Sequence, residues 1–297
     1  MNRVRICLIC LTLTAIAGGC GGHAGVTKTT QVPPAARPVA LDASREQLLD
    51  RYNSLARNVQ SLSATVELKP SAGSAYTGVI NQYHEVKAFL LASRPYNILM
   101  IGQVPVVGTT VFDMASDGRD FEVSIPPKNK FLLGPVSLNH PSDNPIENLR
   151  PQHLVDALLW PEIHKEEVTL LEESDDESAR YYVLTVLRGG YQAEILRKIW
   201  FDRADLQFVR LESYGPKGVL LSDVRFANWQ PVDNPSSTAA DYPRSIRIDR
   251  PHDEYRLDLT VTKITLNEPL TPDHFQLQPP AGADVVHLAD AGVGKKP

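Results

Sequence analysis

Residues 97–114 read NILMIGQVPVVGTTVFDM, and this stretch decides the fold class. Residues 98–101 are apolar in a row without helical spacing, and residues 109–114 are rich in β-branched and aromatic side chains. Two strand-like runs that are joined by a segment with Pro and Gly predict a β-hairpin.

The tip of this hairpin, Pro105, Val106, Val107 and Gly108, has an unusual composition. Hairpin loops usually carry Asn, Asp, Ser or Gly, whereas this tip carries two adjacent valines. Two interpretations follow from the residues. Either the valines pack back onto the core or continue the strand, or they project outward to contact a lipid or an acyl chain.

The rest of the sequence predicts a mainly β (α+β) domain with two helices. Residues 42–60 carry an apolar stripe at helical spacing, and residues 151–160 form a shorter apolar helix that prolines bound, either as a connector or as a lid over an open sheet. About 11 strand signals accompany them, and residues 255–262 alternate apolar and polar side chains. We therefore predict one curved antiparallel sheet, a half-open β-barrel, wrapped over the N-terminal helix and closed by a short helical lid.

Residues 1–19 indicate a signal peptide. They combine two arginines with an apolar run that is too short to span a bilayer. Gly18, Gly19 and Cys20 follow, and this arrangement resembles the lipobox of bacterial lipoproteins, which implies that Cys20 is acylated and becomes the mature N-terminus. The alternative is ordinary cleavage after Ala17, which would leave Cys20 as an unpaired thiol in an oxidising compartment.

Composition bounds the domain organisation and the partners. The chain is 42% hydrophobic and 22% charged, with a formal net charge of −5, so no basic surplus points to nucleic acid. Residues 20–40 contain few large apolar side chains and predict a flexible tether. Residues 41–283 are expected to form the folded domain, and residues 284–297 a C-terminal tail.

The sequence contains no recognisable catalytic motif. It lacks G-x-S-x-G, H-E-x-x-H and a phosphate-binding glycine loop. His164 is expected in a solvated loop. Asp249, His252, Asp253 and Glu254 are expected in a polar hairpin turn, with an adventitious cation site as the alternative. We therefore expect a protein that is not an enzyme and needs no cofactor or metal. The alternative is an esterase-like enzyme, which would require a Ser and a His side chain that converge in a pocket.

The hairpin and the segment after it resemble LolB, the outer-membrane receptor of bacterial lipoprotein sorting. In that family an N-P-L-G tip presents a leucine, and Pro105, Val107 and Gly108 lie across those positions with Val106 as an extra residue. Residues 144–149, NPIENL, together with the helix that follows, resemble the family's Pro- and Leu-bearing helical segment. Residues 275–282 are similar to the close of LolA-like proteins.

This resemblance implies a half-open β-barrel with helical lids and an apolar cavity for acyl chains. We expect the cavity lining to include Leu99, Ile101, Phe112, Leu158 and Trp160. The resemblance further implies lipid anchorage at the periplasmic face of the outer membrane, where the protein would take lipoprotein acyl chains or lipid from a LolA-like periplasmic carrier. The alternative is a sensor or interaction lipoprotein similar to the RseB relatives, which a barrel filled by side chains would favour.

Overall fold

One large sheet dominates the part of the chain that the structure describes. The structure is a computed structural model, and it describes residues 38–74, 78–137, 151–176, 179–190, 192–232 and 240–288. Its helices are α1 (Arg45–Asn58) and α2 (Gln152–Leu158). The first strands are β1 (Ser61–Ser74), β2 (Val79–Gln82), β3 (Val86–Ser93), β4 (Asn97–Gln103), β5 (Thr110–Ser116), β6 (Asp120–Ile125) and β7 (Lys130–Pro135). The later strands are β8 (Glu167–Asp175), β9 (Arg180–Arg188), β10 (Glu194–Asp202), β11 (Phe208–Tyr214), β12 (Leu220–Val232), β13 (Ala240–Arg250), β14 (Tyr255–Leu266) and β15 (Asp284–His287).

β1 lies in the middle of the sheet and joins two meanders. On one side the order runs β3, β4, β5, β6 and β7, with the short β15 added to β7 in parallel. On the other side β14 pairs with β1, and the order continues through β13 down to β8. β2 pairs with the end of β1. Since β8 and β15 lie at opposite ends of this order, the sheet is curved and unclosed, as the sequence predicts.

The predicted strand number of about 11 is wrong, because the sheet has 15 strands within the described residues alone. The predicted strand over residues 78–92 is divided into β2 and β3. β7 was missed because its Gly134 and Pro135 resemble the start of the Pro-rich connection. β15 is only four residues long and lies in the segment that the sequence assigns to the tail.

The N-terminal helix α1 forms where the apolar stripe predicts it. Ser44 is the N-cap, and its side chain and that of Gln47 form a capping box. Leu48, Tyr52 and Ala56 recur at helical spacing and are fully buried, so one face of α1 packs on the sheet. We call this covered side of the sheet the inner face, and the opposite side the outer face.

The connection that contains α2 runs from β7, near one end of the sheet, to β8 at the other end. Leu154, Val155 and Leu158 of α2 are buried in the same core as the side chains of α1. The described part of the connection, with α2, therefore lies on the inner face together with α1.

Four side chains hold the segment after α2 in place. The Tyr242 hydroxyl donates to the Leu158 carbonyl at 3.1 Å, and the Tyr52 hydroxyl donates to the Pro161 carbonyl at 2.9 Å. Arg94 donates to the Trp160 carbonyl at 2.5 Å, and Asn53 exchanges two hydrogen bonds with the Ile163 backbone. These bonds satisfy carbonyl groups that enter the core without a partner in a helix or a strand.

Trp160 is the centre of the core at this point. It is fully buried, and its ring lies 5.5–5.8 Å from four aromatic rings of β11, β12 and β13. These rings belong to Phe208, Phe226, Trp229 and Tyr242. Such aromatic contacts add to the free energy of burying the rings.

A pair of leucines tests how far α2 contributes to stability. Leu158→Ala removes a fully buried side chain and should lower the free energy of unfolding by about 2–5 kcal/mol. Leu170→Ala is the control, because Leu170 on β8 is 48% exposed and should change it by no more than about 0.5 kcal/mol. Urea denaturation measures both. Equal effects would show that α2 is not part of the cooperative core.

Candidate functional site

The tip of the β4–β5 hairpin is closed by backbone hydrogen bonds. The Val104 N–H donates to the Thr109 carbonyl at 2.9 Å, and the Gly108 N–H donates to the Val104 carbonyl at 3.0 Å. Gly108 has a φ of 76° and Val106 a φ of 70°. A left-handed conformation is common for glycine but unusual for a β-branched residue, so Val106 holds a costly conformation at the outermost point of the hairpin.

Both tip valines face solvent. Val106 is fully exposed and Val107 is 74% exposed, and Val104 beside them is also exposed. Of the two interpretations that the sequence leaves open, packing onto the core therefore does not apply, and the tip projects apolar side chains into solvent. Contact with a lipid or an acyl chain remains a prediction.

A pocket of about 260 Å³ lies on the inner face beside α2. Its apolar wall contains Ala157 of α2, Leu211 of β11, and Leu221 and Val224 of β12. The remaining lining residues are Tyr96, Val136, His153, Asp156, Ser213, Ser222 and Arg250. α2 thus has two sides, since Leu154, Val155 and Leu158 pack into the core while His153, Asp156 and Ala157 border the pocket.

A polar cluster forms one end of this inner pocket. His153 Nδ1 lies 2.9 Å from the Tyr255 hydroxyl, and His153 Nε2 lies 3.3 Å from Arg250 Nη2. Arg250 also pairs with Asp253 at 2.7 Å. The Asp156 side chain is exposed towards the pocket, yet many protein atoms surround its carboxyl. The resulting desolvation raises the pKa of this carboxyl, and the charges of nearby arginines act in the opposite direction. The pocket therefore combines an apolar wall with a polar end.

The five residues predicted to line the cavity do not meet in one cavity. Leu158 and Trp160 are fully buried in the packed core. The Phe112 ring lies over Gly102 on the inner face, where a Cβ atom on Gly102 would collide with it. Leu99 and Ile101 lie on the outer face, in a groove that is separate from the inner pocket.

The apolar run of β4 explains this error. The buried residues of β4 are Ile98, Met100 and Gly102, so Leu99 and Ile101 necessarily point to the other side. Since the strand is apolar on both faces, alternation could not show which residues face the core. Sequence reasoning also missed His153, Arg250 and Tyr255, because their contacts join parts of the chain that are about a hundred positions apart.

The remaining sequence-based predictions concern single residues and short segments. Cys20 and residues 144–149 lie outside the described residues. His164 is exposed, as predicted. Residues 251–254 form the predicted turn between β13 and β14, but Asp249 lies within β13, where it pairs with Arg256, so its placement in the turn was wrong. Across the described ranges, no three His, Cys, Asp or Glu side chains are placed to hold a metal ion. Within the same ranges, no helix has the length and apolar character needed to cross a membrane.

Comparisons with known proteins give similarity in structure. No family model matches the chain, and no curated protein matches it. A LolA superfamily protein from Nitrosomonas europaea is 15% identical with a TM-score of 0.47, over 80% of this chain and 99% of that chain. A DUF1329 family protein from Desulfovibrio piger is 16% identical with a TM-score of 0.46, over 77% and 94% of the two chains.

A third solved structure comes from Vibrio parahaemolyticus and is described as an outer membrane lipoprotein-sorting protein domain. It is 14% identical with a TM-score of 0.43, over 76% of this chain and 95% of that chain. The solved structures similar to this chain thus include a LolA superfamily protein and a lipoprotein-sorting protein domain.

Proposed function

We propose that this protein is a lipid-anchored lipoprotein of the periplasmic face of the outer membrane. It binds acyl chains of lipoproteins or lipids and passes them to the membrane, without enzymatic chemistry. The observation that carries this proposal is the exposed pair Val106 and Val107 at the hairpin tip. Two adjacent apolar side chains that contact only water contribute no favourable transfer free energy, whereas the same side chains at a lipid-contacting tip do contribute it.

The free energy of lipid contact at the tip is appreciable. Transfer of two valine side chains from water to an apolar phase contributes roughly 3–5 kcal/mol. An acyl anchor at Cys20 already confines the protein to the membrane. The tip valines therefore govern local acyl transfer more than residence at the membrane.

The inner pocket supports the binding part of the proposal. Leu211, Leu221 and Val224 offer an apolar wall to a chain, and His153 and Arg250 offer polar groups at its end. An amphiphile with a polar head and an acyl chain matches this arrangement. A LolA-like periplasmic carrier is the expected donor.

A second candidate function is a sensor or interaction lipoprotein of the RseB type. The packed rings around Trp160 and the hydrogen bonds to the segment after α2 favour it, because they fill part of the inner face. The two candidates differ in whether the inner pocket takes an acyl chain.

Ligand binding in the inner pocket is tested with an environment-sensitive fatty-acid probe. The wild-type protein should bind the probe, and a lipopeptide should compete. Ser213→Trp places a large side chain in the pocket and should abolish binding, whereas Ser54→Trp on the exposed side of α1 should leave it unchanged. Absence of binding in the wild type would favour the sensor function.

The tip is tested by Val107→Glu. Because Val107 is exposed, the free energy of unfolding should change by no more than about 0.5 kcal/mol, but a carboxylate at the tip opposes entry into lipid. Melting temperature and probe binding should therefore be unchanged while transfer of lipid to liposomes is lost. Val168→Glu, at a valine of β8 that is 47% exposed, is the control and should transfer normally. Normal transfer by Val107→Glu would contradict the role of the tip.

The anchor is tested by Cys20→Ser. The variant should lose palmitate labelling and remain unprocessed or misplaced, because only a cysteine thiol accepts the lipid. Cys7→Ser and Cys10→Ser lie within the predicted signal peptide and should keep the labelling. Gly21 follows Cys20 in place of the Asp that retains many lipoproteins at the inner membrane, so fractionation should recover the wild type with the outer membrane. Labelling of Cys20→Ser would exclude the proposed anchor.

A further inference from the structure

An apolar patch lies on the outer face of β3 and β4. Its members are Phe89 and Leu91 of β3 and Leu99 and Ile101 of β4, which we call the outer patch. Phe89 lies opposite Ile101, and Leu91 lies opposite Leu99. The four side chains border a groove of about 430 Å³, and Phe89 is 42% exposed. An apolar cluster of this kind on the uncovered side of a sheet is a candidate for contact with another apolar phase.

The outer face of β11 to β14 has the opposite character. Cross-strand ion pairs cover it, with Arg210 and Asp223 joined at 2.7 Å and Arg247 and Asp258 joined at 2.6 Å. Arg256 and Asp249 form a further pair between β14 and β13. Removing these charges from water would be costly. The outer face thus carries these ion pairs on β11 to β14, which we call the charged half, and the outer patch on β3 and β4.

Two lysines are placed beside the outer patch. The Lys87 ammonium lies 5.2 Å from the centroid of the Phe89 ring, and Lys263 of β14 lines the same groove. Long lysine stems cover apolar surface while their ammonium groups reach polar headgroups. This combination of apolar side chains with flanking cations is complementary to a bilayer surface that contains anionic phospholipid.

Three carboxylates lie near the outer patch and its lysines, and Glu67 of β1 lies opposite Lys87. Glu268 lines the groove, and Asp113 lies opposite Ile101 on the neighbouring strand. Within the described residues, no hydrogen-bond partner reaches the buried Oδ1 of Asp113, and desolvation raises the pKa of its carboxyl. A carboxyl that takes up a proton more readily opposes approach to lipid less than an ordinary aspartate does.

We propose that the outer patch is a second lipid-contacting surface, which lays the outer face of β3 and β4 on the phospholipid bilayer next to the hairpin tip. The two surfaces are continuous, because β4 leads directly from Ile101 to the tip. Val106 is five positions further on, a distance of about 16–18 Å along an extended chain.

This inference rests on the proposed lipid anchor at Cys20. Residues 21–37 link that cysteine to Pro38 and could span up to about 55–60 Å. A tether of this length holds its domain at a high effective concentration near the membrane. A weakly binding patch is then enough to orient the domain. When the outer patch lies on the bilayer, the charged half of the outer face stays in water.

The orientation is tested on the mature acylated protein, from which the signal peptide with Cys7 and Cys10 has been removed, in vesicles of phosphatidylethanolamine and phosphatidylglycerol. Acylated Cys20 has no free thiol, so a single introduced cysteine can carry an environment-sensitive fluorophore. Leu91→Cys reports on the outer patch, Arg247→Cys on the charged half and Val106→Cys on the tip. Brominated lipids should quench the probe at position 91 and shift its emission to the blue, and should leave the probe at position 247 unquenched.

The pattern of quenching distinguishes a failure of this inference from a failure of the proposed function. Quenching at position 106 without quenching at position 91 overturns the outer patch and leaves the proposed function standing. Absence of quenching at all positions in acylated protein overturns both membrane contacts. Burial of the probe at position 91 without vesicles, rising with protein concentration, would identify a second copy as the occupant and overturn the inference as well.

Substitutions then test the chemistry of the outer patch, with Val106→Cys or Leu91→Cys carrying the probe. Phe89→Ser should abolish quenching at position 91, whereas Leu170→Ser, at a comparably exposed leucine of β8, should not. Lys87→Gln should weaken the quenching only when phosphatidylglycerol is present. Melting curves verify that each variant folds, and hydroxyl-radical footprinting of Phe89 in the unsubstituted protein gives the same information without any change in sequence. Undiminished oxidation of Phe89 on vesicles would exclude the contact.

Discussion

The burial of the extended segment after α2 is the interaction on which the inner face depends. This segment carries Trp160 into a group of aromatic rings, and it brings backbone carbonyls into the core with it. A buried carbonyl without a donor costs about 1–3 kcal/mol, so its donors are as important as the apolar contacts. Those donors come from α1, from the end of β3 and from β13. The segment therefore ties α1, the end of β3 and β13 to one another through its backbone.

The same arrangement divides the functional surfaces. The side of α2 that packs with Trp160 has a structural role, and the side with His153 and Asp156 borders the inner pocket. The hairpin tip lies outside this core, since both of its valines are exposed. Changes at the tip are consequently separable from changes in stability, which makes the tip and the pocket independent targets for experiments.

Periodic patterns made much of the fold predictable from the sequence. The apolar stripe of α1 and the alternation in β14 each bury one side, and that side can be read from spacing alone. β4 has no such pattern, because Leu99 and Ile101 are as apolar as Ile98 and Met100. Only the position of the neighbouring elements shows which set faces the core. The same limit applies to the polar cluster, where His153 and Tyr255 are 102 positions apart. The conformation of Val106 was equally out of reach, since local preferences disfavour a left-handed valine.

The pairing of β1 with β14 sets the order in which the chain can complete its fold. Each meander is built from neighbours in sequence, but Leu62 meets Leu266 only when nearly the whole domain is present. A chain that emerges from a ribosome or an export channel therefore carries β1 with one edge unpaired throughout the arrival of the later strands. An unpaired edge of this length invites association with other chains. The central position of β1 thus leaves one of its edges open until β14, the penultimate strand of the described residues, pairs with it.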